Sequence, residues 1–162
     1  MLRKKNVSWP VESAAKFIES PTNSKTYILT VHGQLPSGKN QIRIAVRHGR
    51  IQKYPDKRFV DWRAIVLQQW ASLVSLPDQP ITHPVQLDVA YWPGDRRTRD
   101  VSGMLDALFH VLVKAHVLAD DGLIRDVVWR TLDLNREYPK AVLTIQPWRN
   151  GEKPDSLSPV QQ

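Results

Sequence analysis

The chain has 162 residues, 41% of them apolar, which fits one domain with a sizeable core and excludes global disorder. It has no cysteine, so disulfides and thiolate metal sites are excluded and a cytoplasmic setting is expected. A formal net charge of +7 and a pI of about 9.9 favour a polyanionic partner, either nucleic acid or an anionic membrane surface.

No charge-free apolar run approaches the roughly 20 residues of a membrane span. The basic start MLRKKNVSWPVES is followed by no apolar stretch and does not read as a secretion signal. Residues 1–25 read as an N-terminal extension, in which 11–19 (VESAAKFIE) suits two helical turns between Pro10 and Pro21. Residues 26–35 (TYILTVHGQL) carry the apolar and aromatic content of a strand. A loop at 36–40 follows, and then a second strand at 41–46, where polar and apolar residues alternate.

Positions 43 to 63 hold seven Lys or Arg residues against two acids, interleaved with Tyr54, Phe59 and Trp62. Cations with aromatics suit a phosphate backbone, whereas a solvated helix face over buried aromatics explains the same pattern without DNA. Asp56 is placed to cap a helix over 57–74. One face of it would carry Phe59, Trp62, Ile65, Val66, Gln69, Trp70 and Leu73, recurring at three- and four-residue spacing. The alternation of Val85, Leu87, Val89 and Tyr91 makes 85–92 a strand. A loop carrying Arg96, Arg97 and Arg99 leads to Asp100 and a strongly apolar helix to about residue 118, followed by the Asp120–Asp121 pair. Residues 124–135 read as a strand and 140–146 as its hairpin partner, and 148–162 as a disordered tail. The expected architecture is α+β, a small mixed sheet with two main helices in one domain over 26–147.

On the apolar helix Ser102, Asp106, His110 and Lys114 lie four apart and share a face. An ordinary solvent-facing stripe is one explanation. A functional one requires the chain to fold back, through an antiparallel strand after Asp121, and bring Asp121 to Asp100. Converging carboxylates repel unless a cation neutralises them. Oxygen donors without cysteine suit a hard ion, Mg²⁺ or Mn²⁺, which polarises a phosphodiester while arginines hold the flanking phosphates.

These residues resemble the signature of the RusA family of Holliday-junction resolvases. RRTRD matches the family's arginine-rich loop and first acid, and KAHVLADDGLI matches the segment ending in its Asp-Asp pair. GQLPSGKN, VQLDVAYWPGD and AVLTI resemble flanking parts, so the likeness spans 26–146. The resemblance implies an intertwined homodimer and Mg²⁺-dependent paired nicking of four-way DNA, with Mn²⁺ as substitute. By the same likeness Asp100 and Asp121 are the metal-holding catalytic acids, with Asp120 beside them. Arg96, Arg97 and Arg99 are the expected phosphate contacts, and Lys39 and Arg58 are further candidates read from the residues themselves. The chain departs from the family motif D-x-D-N, placing Ser102 and Gly103 at its last two positions. Asp106 stands at the family's lysine, His110 at the aspartate of D-A-L, and His116 at a helix-ending glycine. Asp106 is therefore expected to replace the lost ligand, with His110 beside the metal or moving a proton. A degenerate fold that binds branched DNA without cutting it is the alternative, and a basic structural protein with a purely solvated stripe is a third.

Overall fold

The computed structural model describes residues 15–19, 25–36, 42–47, 49–71, 73 and 76–149. Seven strands and two helices follow in the order β1 (Ala15–Glu19), β2 (Lys25–His32), β3 (Ile42–Arg47), β4 (Arg50–Pro55), α1 (Lys57–Ala71), β5 (Val85–Trp92), α2 (Val101–Lys114), β6 (Ile124–Thr131) and β7 (Lys140–Pro147). The fold is α+β, as expected, with a mixed five-stranded sheet in the order β1-β2-β7-β5-β6 and a separate two-stranded ribbon, β3-β4.

Alternation along the strands builds the core. Leu29 and Val31 of β2, Val85, Leu87, Val89 and Tyr91 of β5, and Ala141, Leu143 and Ile145 of β7 are buried together. Against them pack Val66 and Trp70 of α1 and Met104, Leu108, Val111 and Leu112 of α2. Trp70 ties α1 to the sheet by donating its indole N–H to the Thr30 carbonyl at 2.9 Å. Val60 N–H donates to the Asp56 carbonyl at the start of α1. Ile65 of the expected apolar face is 52% exposed, and α1 ends before Leu73.

Three sequence expectations are corrected. Ala15–Glu19 is a strand paired antiparallel with β2, not part of a helix; β-branched and aromatic side chains suit a sheet edge, and Pro10 and Pro21 leave little length for helix. β6 and β7 are not a hairpin. β6 pairs in parallel with β5, and β7 lies between β2 and β5, antiparallel to both. Strands joined through a crossover helix run parallel, which is the relation α2 imposes on β5 and β6. Finally, residues 50–55 form strand β4, where the sequence suggests only a basic DNA-facing stretch or a solvated helix face. Gly49, with φ of 72°, makes the turn between paired Arg47 and Arg50, a conformation that glycine adopts without strain. Residues 1–14, the loop positions 37–40 with Lys39, and the tail from 150 on lie outside the described residues.

Candidate active site at the two ends of a buried helix

The sheet register fixes where the acids lie. β5 ends at Trp92, and the chain enters the arginine loop there before starting α2 at Val101. The helix then runs back along the sheet, so that β6 starts opposite Val85, at the other end of β5. A helix of 14 residues is about 20 Å long. Asp100 and Asp121 therefore sit at opposite ends of α2. The antiparallel return that would join them within one chain does not occur. Among the described residues no group of three or more His, Asp or Glu is arranged to hold a metal ion. The carboxylates supply the hard oxygen donors Mg²⁺ requires, but one chain does not gather them.

At the first end, Asp100 is the N-cap of α2. Its carboxylate accepts the Ser102 and Gly103 N–H groups at 3.1 and 3.2 Å, two helix donors that otherwise lack partners. Ser102 Oγ donates to the same carboxylate, at 2.9 Å from one oxygen and 3.1 Å from the other. The serine at the family's second aspartate is thus a partner of the first acid. Asp100 remains exposed, with Arg96 and Arg97 exposed in the loop before it.

Arg99 behaves differently from its neighbours. Its Nη2 pairs with Asp95 at 2.8 Å, its side chain is largely covered, and its Nε is buried with no hydrogen-bond partner among the described residues. Asp95 also accepts the Arg97 N–H at 3.1 Å. Desolvation pushes the Asp95 carboxyl up, but the Arg97 N–H and the Arg99 guanidinium outweigh it and hold the group below its usual value. Arg99 therefore shapes the loop, and Arg96 and Arg97 are the cations it presents. The base of the loop is fixed by Gln34, whose side-chain oxygen accepts the Gly94 N–H at 2.6 Å and whose amide donates to the Tyr91 hydroxyl. A Cβ on Gly94 would stand 2.9 Å from that oxygen and 3.0 Å from Pro139. The four-residue spacing of Asp95 and Arg99 was a signal for their pairing; nothing in the sequence marked Gln34.

The second end is built by a Schellman motif. His116 N–H donates to the Val113 carbonyl at 3.1 Å and Val117 N–H to that of Leu112 at 3.0 Å, with Val117 and Leu112 both buried. His116 takes φ of 56°, the left-handed position where the family resemblance places glycine. The chain is then pinned to residue 81: Ile81 N–H donates to Val117 and Ala119 N–H to Ile81, at 2.9 and 3.0 Å. Asp120 follows, capping the 3-10 turn Asp121–Leu123 by accepting the Gly122 N–H at 2.7 Å. Asp121 is exposed beside it. Asp120 is thus held by its own backbone, and Asp121 is the more available acid.

Between the two ends lies the polar stripe. Asp106 is half-buried. His110 is drawn into the contact with α1: Arg63 Nη1 lies 3.1 Å from its Nε2, and the Phe59 ring meets it edge-on at 5.4 Å. A guanidinium only donates, so Nε2 accepts and the ring proton sits on Nδ1. Arg58 is exposed on α1.

No family model matches the chain. Over 94 residues it is 30% identical to the crossover junction endodeoxyribonuclease RusA of Aquifex aeolicus (strain VF5), a match covering 58% of this chain and 71% of that protein.

Proposed function

Since the chain belongs to the RusA family of crossover junction endodeoxyribonucleases, we propose that it cuts Holliday junctions or related branched DNA by hydrolysing one phosphodiester in each of two strands. The observation that carries this reading is the exposed Asp100 carboxylate at the head of α2, with Arg96 and Arg97 exposed beside it. The two arginines bind phosphates flanking the cut by charge-assisted hydrogen bonds. Asp100 and Asp121 would hold the proposed ion, Mg²⁺ with Mn²⁺ as substitute, which when bound would supply polarisation of the phosphodiester and activation of water.

The protein is proposed to act as a homodimer for a geometric reason. With Asp100 and Asp121 about 20 Å apart along α2, their joint use needs Asp100 of one copy to meet Asp121 of another. A two-fold pairing of that kind creates two equal sites, one for each strand of a paired cut. Asp120 and Asp106 are the supplementary oxygen donors.

The test is a synthetic four-way junction incubated with the protein and Mg²⁺. Paired symmetric nicks are expected, lost in Asp100→Asn and without divalent ion, and slowed by Asp106→Ala. A second reading, junction binding without cleavage, is favoured by Ser102 holding both Asp100 oxygens and by His110 being tied to Arg63. Tight junction binding with no cut in Mg²⁺ or Mn²⁺ would establish that reading instead.

A further inference from the structure

The β3-β4 ribbon is a sheet by itself. Its six antiparallel pairs run from Ile42↔Pro55 to Arg47↔Arg50, and neither strand joins the main sheet. A lone two-stranded hairpin is marginal in water unless something packs on it. This one also lacks any acid: residues 42–55 contain Arg43, Arg47, Arg50 and Lys53 and no Asp or Glu. Alternation along β4 puts the exposed Arg50 on one face. Val46 and Ile51 face each other across the ribbon on the opposite face, one pair from the turn, and are 69% and 70% exposed.

The ribbon's root joins two parts of the molecule, the arginine loop on one side and α1 on the other. Just before β3 the chain passes Gln34, which holds Gly94 at the base of the arginine loop. Just after β4 it enters α1, whose Phe59 touches His110 of α2. A six-residue strand reaches about 20 Å from such a root.

We infer that the β3-β4 ribbon is a DNA arm that enters the branch point, Arg50 meeting a phosphate while Val46 and Ile51 press against the unstacked face of a base pair. The inference rests on the branched-DNA reading above. Charge complementarity selects the partner, since a ribbon with four cations and no acid suits a polyanion. The apolar pair selects the branch. A continuous duplex hides its base-pair faces, whereas a branch point uncovers them, and apolar side chains wedge into such steps. A second copy of the chain is the competing occupant of the apolar face.

The experiment compares the full-length wild type with Val46→Ser/Ile51→Ser, Val46→Leu/Ile51→Leu and Arg50→Ala on a four-way junction and a matched duplex, over a range of salt. The junction carries 2-aminopurine at the crossover. The serine double variant is expected to lose at least tenfold in junction affinity and the fluorescence rise on binding, while duplex affinity stays within twofold. The leucine variant retains both. Arg50→Ala lowers the slope of log affinity against log salt by about 0.9, one phosphate contact. Equal melting temperatures show that the exposed substitutions leave the fold intact. Junction affinity and fluorescence unchanged in the serine variant, with wild-type preference for the junction intact, overturn the arm alone. Loss of junction affinity together with dissociation in sedimentation also overturns it and gives the apolar face to a second copy. A wild type that does not prefer junction over duplex overturns the branched-DNA reading with it.

Discussion

Asp100 has two duties, and substitution separates them. As N-cap it satisfies the Ser102 and Gly103 N–H groups, and as an exposed carboxylate it is available to a cation. Asparagine caps nearly as well as aspartate but lacks the charge. Asp100→Asn is therefore expected to melt within about 0.5 kcal/mol of wild type and to lose cleavage, whereas Asp100→Ala loses cleavage and about 1 kcal/mol of stability, as read by denaturant titration. Asp95 supplies the residue-level pH dependence. Its carboxyl is held below 3.8, so its stabilisation of the loop is present in full above that value and lost as the pH falls through the lower folded value. The gap in melting temperature between wild type and Asp95→Asn is expected at pH 7 and to close in acid below 3.8. A constant gap down the titration would remove Asp95 as the cause.

At the scale of elements, α2 positions the acids of the proposed site because both of its ends are specified locally. The end at His116 is the testable one. A non-glycine residue at φ of 56° is strained by its Cβ, so His116→Gly is expected to raise stability by about 1 kcal/mol without altering cleavage. A loss of stability would mean that the His116 ring makes a contact its exposure does not suggest. Local pattern made α1, β2, β5 and α2 legible, since apolar spacing distinguishes buried helix from buried strand over their lengths. Pairing was less legible. Whether β7 pairs with β6 or inserts between β2 and β5 depends on contacts distant in sequence, and the wrong choice brought the wrong expectation that Asp121 returns to Asp100. In β4, Arg50 and Lys53 suit a solvated helix face equally well, and the pairing with β3 through the Gly49 turn is a structural finding. The acids and arginines were legible one by one, but the division of labour between Arg99 and its neighbours required the Asp95 contact.

For the whole molecule, parallel pairing of β5 with β6 has the largest consequence, because it sends Asp121 to the far end of α2 from Asp100. On the proposed reading a single copy holds two incomplete halves, and a complete site needs two copies. Asp100→Asn and Asp121→Asn chains, each inactive alone, should recover junction cleavage when refolded together, since the mixed dimer contains one site with both acids intact. Wild type mixed with excess Asp100→Asn/Asp121→Asn double variant should lose cleavage, because both sites of that mixed dimer are damaged. The direct measurement is nicking of a labelled four-way junction in Mg²⁺ by the refolded mixture of the two single variants. Single-strand nicks at the wild-type position are expected; a mixture as inactive as either parent, under conditions where wild type cuts, would contradict a site shared between two copies.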